Sequence, residues 1–167
     1  DDDVDDSVTF TVSGSELSIT SAGVLSFKVA PDYETKATYT ATVTASDGTN
    51  TTNQNITGNV TDANDMAPVF TSGATFSADE NQIAIGTVVA SDDEGDTLSY
   101  SISGTDASLL SIDAATGVLS FKTAPDREIK STYVFDVTAS DGINTTTQSV
   151  TVNVTDVNDN SPAFTSN

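Results

Sequence analysis

The chain has 167 residues, with 25 acidic and five basic side chains, a formal charge of -20, and no His, Cys or Trp. Without His or Cys no Ser–His–Asp or Cys–His nucleophile can be assembled, and the ordinary ligands of zinc, haem and iron–sulfur centres are missing. So acidic a surface also repels nucleic acid, which leaves solvation, repulsion or hard cations such as calcium as the work of so much carboxylate. Apolar residues make up 36% of the chain, and much of the remainder is Thr and Ser rather than charge. Thr favours strands, so the composition reads as folded and β-rich rather than disordered. No stretch approaches the ~18 apolar residues of a membrane span. The start, Asp1-Asp2-Asp3, does not look like a secretion leader. With no Cys, disulfides contribute nothing.

Read from the N-terminus, the chain repeats itself. Residues 7–10 match 97–100 at an offset of 90, and residues 23–28 match 117–122 at an offset of 94. The Ala-Pro-Asp-x-Glu of residues 30–34 recurs at 124–128, and the Ala-Ser-Asp-Gly of 45–48 at 139–142. The Asp-x-Asn-Asp of 62–65, with Pro68 and Phe70 behind it, recurs at 156–159 with Pro162 and Phe164. The change of offset predicts that the first copy lacks four residues near 14–16. The first copy begins at the counterpart of Ser91 and so lacks the segment matching 74–90. This phase reads as a piece of a longer tandem array.

In the complete copy, period-2 alternation predicts short strands over residues 74–79, 85–91, 98–102, 109–113, 117–122, 132–140 and 147–155. Tyr133, Phe135, Val137 and Ala139 share one phase, and Val150, Val152 and Val154 another; these predict the core. Seven strands without a helix-period segment argue an all-β antiparallel sandwich. The expected organisation is a repeat over 1–65 lacking its first two strands, a complete repeat over 66–160, and the start of a third over 161–167.

The acidic motifs recur beside strand ends and in register. Glu80, Asp92 with Glu94, Asp126-Arg127-Glu128, Ala139-x-Asp141 and Asp156-Val157-Asn158-Asp159-Asn160-Ser161-Pro162 together resemble the cadherin repeat. That resemblance implies two tandem seven-stranded Greek-key sandwiches joined through calcium-binding linkers. It implies an internal junction drawing on Asp32 and Glu34, on Asp62, Asn64 and Asp65 with the carbonyls of Ala63 and Met66, and on Asp92, Glu94 and Asp141. Asp93 and Asp96 are alternatives to Glu94. A downstream half-junction would use Glu80, Asp126, Glu128, Asp156, Asn158 and Asp159. Asp2 and Asp47 would be the acceptor half of an upstream one. For each acid the plain alternative is a solvated turn, and for the linker acids an Asx turn.

The resemblance implies a non-enzymatic, extracellular, calcium-stiffened spacer and adhesion module whose partners are neighbouring repeats of the same array. The composition is similar to that of large bacterial surface adhesins. Two alternatives remain. One is a filament subunit that takes a missing strand from another copy of the chain. The other is a carbohydrate-binding module with a glycan at a cell surface.

Overall fold

The computed structural model describes residues 7–162, and the chain divides into two compact units, Asp1–Ala63 and Asn64–Asn167. The first holds β1 (Thr9–Val12), β2 (Leu17–Ile19), β3 (Leu25–Phe27), β4 (Thr38–Ser46) and β5 (Thr51–Asn59). Strands β1, β4 and β5 form one antiparallel sheet, and β2 and β3 form a separate hairpin. The alternation that builds β4 sends Tyr39, Ala41, Val43 and Ala45 to one face and Thr38, Thr40, Thr42 and Thr44 to the other.

The second unit holds β6 (Val69–Phe70), β7 (Thr75–Asp79), β8 (Ala84–Thr87), β9 (Ala90–Ser91), β10 (Ser99–Ser103), β11 (Leu110–Ile112), β12 (Val118–Phe121), β13 (Thr132–Ser140) and β14 (Thr145–Thr155). A four-stranded sheet runs β10-β13-β14-β7, and a three-stranded sheet runs β11-β12-β8. Their inner faces bury Phe135, Leu110, Leu119, Val137, Val150 and Val152, each 1% exposed or less. The sandwich and the core phases of β13 and β14 are as expected.

One pairing amends the antiparallel expectation. β7 lies parallel to β14, with Thr75 beside Thr151 and Asp79 beside Thr155. They are the first and last long strands of a unit that the chain enters at one end and leaves at the other. Both therefore run in the same direction. The pairing sets Glu80 next to the start of the outgoing linker, where Glu80 N–H donates to the Thr155 carbonyl at 3.1 Å.

The expected four-residue deletion near 14–16 is divided. Leu17–Ile19 pair with β3 as Leu110–Ile112 pair with β12, an offset of 93. Three residues are thus lost between β1 and β2 and one in the β2–β3 turn. In the second unit the extra residues form a 3-10 turn, Ala107–Leu109, behind the buried Asp106. Asp106 accepts from the Val134 N–H at 2.8 Å and pairs with Lys130. In the first unit Lys36 pairs with Glu16 at 2.6 Å instead, a longer acid reaching from a shorter loop.

The Lys130 hydrogen bond, and after it that of Val134 N–H, hold the Asp106 carboxyl below its ordinary value. Its contribution is therefore complete above the unfolded Asp pKa and fades as pH falls through the folded value. Asp106→Ala should cost about 2 kcal/mol at neutral pH, by orphaning Val134 N–H and Lys130. Denaturant melts at neutral pH and below the ordinary Asp range check this: the gap between variant and parent should shrink in acid.

The two units differ in how their matching residues are covered. Leu119 and Phe121 are 1% and 3% exposed, whereas their counterparts Leu25 and Phe27 are 39% and 37% exposed. Val137, Ala139 and Val150 are fully buried, while Val43, Ala45 and Ile56 are only half-buried. Among the described residues, no strand of the first unit corresponds to β7 or β8.

Gly117 and Gly23 show the same difference. Both have positive φ, +70° and +80°. A Cβ on Gly117 would lie 2.2 Å from the Val88 carbonyl oxygen, but one on Gly23 would meet only the Phe10 ring, at 3.5 Å. Gly117→Ala should therefore cost about 3 kcal/mol or more, from a backbone clash added to the φ strain. Gly23→Ala should cost only about 1 kcal/mol of strain. Parallel thermal melts of the two variants test the contrast.

Candidate metal centre

The second unit carries two groups of acids at strand ends. At its incoming end, the turn after β9 brings carboxylate oxygens of Asp92, Glu94 and Asp96 within 4.8 Å of one another. Asp92 is placed by its own turn, with Oδ1 accepting from Glu94 N–H at 3.1 Å and Asp96 N–H at 3.3 Å. Its other oxygen, Oδ2, is buried and meets no donor. Glu94 holds the linker: Oε1 accepts from Asp65 N–H at 2.8 Å and Oε2 from Met66 N–H at 3.1 Å. Asn64 Nδ2 donates to Asp96 Oδ2 at 2.6 Å. Asp96, an alternative in the sequence, is thus part of this group together with Glu94; Asp93 is not.

Asp141 approaches from the β13–β14 turn. Its Oδ1 accepts from Ile143 N–H at 2.7 Å and Asn144 N–H at 2.6 Å, which is an Asx turn. Burial alone would raise the Asp141 carboxyl, but these N–H donors and the Asn144 amide hold it below its ordinary value.

Asn144 was not singled out from sequence. Its Nδ2 lies 2.7 Å from Asn64 Oδ1, 3.0 Å from the Met66 carbonyl, 3.3 Å from Asp141 Oδ2 and 3.5 Å from the Asn64 carbonyl. Four oxygens converge on one electropositive nitrogen, and all four come from three residues expected as ligands, Asn64, Met66 and Asp141. The signal for Asn144 was its place three residues after Asp141 in both copies, shared by Asn50 after Asp47.

At the outgoing end, Glu80, Glu128 and Asp156 bring carboxylate oxygens within 4.8 Å of one another. Glu80 is 3% exposed. Its Oε2 accepts from Arg127 N–H at 2.8 Å and its Oε1 from Val157 N–H at 2.7 Å. Those two bonds hold its carboxyl below the ordinary Glu value. Glu128 moves the other way. Its own backbone N–H lowers it, but partial burial and the charges of Glu80, Asp126 and Asp156 outweigh that and leave it raised. The two N–H donors of Glu80, and the negative neighbours of Glu128, separate the behaviour of the two Glu residues.

Three expected members of this half lie outside the group. Asp126 caps the 126–130 turn, with Oδ1 accepting from Ile129 N–H at 3.1 Å. Asp159 accepts from Asn81 Nδ2 and, at 3.0 Å, from Asn160 Nδ2. Asn158 is exposed.

The first unit repeats these placements. Asp32 caps a turn, accepting from Thr35 N–H at 3.2 Å and Thr35 Oγ1 at 2.9 Å, and the Thr35 hydroxyl and then its N–H lower the Asp32 carboxyl. Glu34 is raised, because burial and the Asp32 and Asp62 carboxylates outweigh the lowering by its own N–H. Asp47 repeats the Asx turn of Asp141, with Oδ1 accepting from Thr49 and Asn50 N–H at 2.7 and 2.6 Å. Those bonds, Asn50 first, lower its carboxyl. Ala63 is exposed, and Asp2 lies outside the described residues.

The donor set consists of carboxylate, amide and carbonyl oxygens, the hard and flexible set that suits calcium. Asp92 Oδ2 is an acceptor already stripped of water and still without a donor, so the residues fit such a cation.

Comparison with known proteins bears on the fold. The family model described as Cadherin domain matches residues 74–155. The chain is 37% identical over 152 residues to human Protocadherin Fat 4, covering 86% of the chain and 3% of that protein. It is 37% identical over 154 residues to pig Protocadherin-11 X-linked, covering 85% of the chain and 14% of that protein. The chain therefore spans a small part of these relatives. A Protocadherin Gamma B2 structure of extracellular cadherin domains 3-6 superposes with a TM-score of 0.82 at 28% identity, covering 94% of the chain and 43% of that one. A protocadherin gammaB7 EC3-6 cis-dimer structure gives 0.81 at 30% identity, covering 93% and 42%. These relatives give the bacterial expectation no support. No helix among the described residues is long and apolar enough to cross a membrane. Residues 74–155 are a cadherin domain, and the chain as a whole has a cadherin-like all-β fold.

Proposed function

We propose that the chain is a calcium-stiffened extracellular spacer and adhesion module, with repeats over 1–65 and 66–160 and carboxylate-rich linkers as its metal sites. Cadherin domains act as extracellular adhesion and spacer modules. The observation that carries the metal reading is Asp92 Oδ2, buried and without a donor beside Glu94 and Asp96. A buried carboxylate oxygen without a partner is expensive, and a hard cation supplies what is missing. The expected ligands of the internal junction are Asp32, Glu34, Asp62, Asn64, Asp65, Asp92, Glu94 and Asp141, with the Ala63 and Met66 carbonyls. To these Asp96 is added.

When bound, calcium neutralises carboxylates that otherwise repel one another. The chain's own residues do the positioning. Glu94 holds Asp65 and Met66 by their N–H groups, and Glu80 holds Val157 in the same way. Each linker end is thus tied to a rigid sandwich before any ion arrives, which lowers the ordering entropy of assembling ligands. Asn144 keeps the Asn64 and Met66 oxygens turned to one point. Calorimetric titration of chelator-treated chain with calcium should give saturable heat, together with a rise in melting temperature. A flat titration with an unchanged melt overturns the metal reading and leaves the fold untouched.

A further inference from the structure

The Asn144 side chain ends at a point that four oxygens share. Its Nδ2 faces Asn64 Oδ1 at 2.7 Å, the Met66 carbonyl at 3.0 Å, Asp141 Oδ2 at 3.3 Å and the Asn64 carbonyl at 3.5 Å. These groups are held from outside the point. Asn64 Nδ2 donates to Asp96 Oδ2 at 2.6 Å, so Asn64 Oδ1 is the end of that amide left for Asn144. Met66 is fixed by its N–H on Glu94 Oε2. Asp141 Oδ1 is taken up by the Ile143 and Asn144 N–H groups, which leaves Oδ2 for the point. The nitrogen is placed by its own turn as well. In the first unit, Asn50 N–H donates to Asp47 Oδ1 at 2.6 Å and Asn50 Nδ2 to Asp47 Oδ2 at 3.2 Å. The matching distances at Asn144 are 2.6 and 3.3 Å. The same Asx turn thus sets the same amide beside the same acid in both units.

An amide N–H2 has two hydrogens and no net charge. It satisfies two of the four oxygens well, and the longer contacts, to Asp141 Oδ2 and the Asn64 carbonyl, stay weak. A hard cation takes six to eight oxygens and would satisfy all four. Asn64, Met66 and Asp141 are the expected ligands already named. The amide nitrogen and an ion therefore need the same oxygens at the same point, and they exclude one another.

We propose that Asn144 is a displaceable stand-in for calcium: its amide fills this point in the metal-free chain and swings out when calcium binds. This role rests on calcium binding at this end of the unit, and it adds a competitor built into the chain. Without metal, the amide keeps the Asn64 and Met66 oxygens gathered. On binding, its hydrogen bonds to them are given up. Asn144 thus raises the calcium level at which the linker end becomes fixed. Taking the amide away destabilises the metal-free state alone, and calcium affinity then rises by the factor that the competitor had removed. A ligand, or a side chain that only positions ligands, has the opposite sign: its loss weakens binding.

The test is an amide-shift titration of the isotope-labelled full chain with calcium, starting in chelator, for the parent and for Asn144→Ala. The variant keeps the backbone N–H groups that hold Asp141 Oδ1, so the turn is retained. In the parent, the Asn144 side-chain N–H2 protons should exchange slowly in chelator and lose that protection in saturating calcium. In Asn144→Ala, the Asn64 and Met66 backbone amides should report calcium binding about three- to tenfold tighter than in the parent. The metal-free melting temperature of the variant should fall, and the calcium-saturated one should match the parent. Asn144→Asp, which sets a fifth oxygen at the same point, should melt below the parent in chelator. Equal or weaker calcium binding by Asn144→Ala overturns the proposal and leaves the calcium reading standing. Side-chain protons that stay protected in saturating calcium overturn it too, as does an Asn144→Asp chain that melts with or above the parent in chelator. A parent that binds no calcium overturns both.

Discussion

Asp92→Asn should weaken calcium binding by at least about tenfold. Changing even an outer partner of a metal ligand costs about 10–100-fold, and losing a ligand charge costs no less. The same substitution should leave the metal-free chain as stable as the parent or slightly more so. Asn keeps the oxygen that accepts from Glu94 and Asp96 N–H. It removes one of three clustered negative charges, and its new N–H2 sits where Oδ2 has no donor. Melts with and without calcium therefore separate the two roles of the residue. A ligand gives a variant that loses only its calcium response. A purely structural acid gives a variant that melts early in both conditions, and that outcome would refute ligation at this position.

Glu80→Ala should behave in the opposite way, lowering the metal-free melting temperature of the second unit by roughly 5–10 °C. Two backbone donors, Arg127 and Val157 N–H, lose their acceptor at once. Glu80→Gln should fall between parent and Ala, because the amide oxygen replaces one acceptor while its N–H2 confronts the other donor. The Val157 side of the pair predicts a local effect as well: faster amide exchange along 156–159 without calcium. If Glu80→Ala melts with the parent, its carboxylate is not a clamp.

These variants also distinguish what was legible in the sequence from what was not. The strands of the second unit were legible because Tyr133, Phe135, Val137 and Ala139 alternate with polar residues, and period 2 has one physical meaning. The acids were legible because they recur at fixed distances from those strands. Their division of labour was not. Glu80 and Glu94 read as two more ligands in a list, whereas each one clamps a linker by two N–H bonds. Asp126 and Asp32 read as ligands and also cap their own turns. Asn144 gave only a faint signal, its place three residues after Asp141 and that of Asn50 after Asp47, which says nothing of what it meets. Only the turn that brings it back to Asn64, 80 residues away, gives it a role.

By itself, the sequence determined the all-β class, the internal repetition, and the identity of most acids at the strand ends. These are properties of local pattern and of repetition, and no tertiary contact is needed to read them. The tertiary structure alone decided that β7 runs parallel to β14, that Asp92 carries a buried oxygen without a donor, and that Gly117 is closed off while Gly23 is open. Each of these depends on residues far apart in the chain meeting at one place. A period of two says which way a side chain points, and cannot say what it will meet.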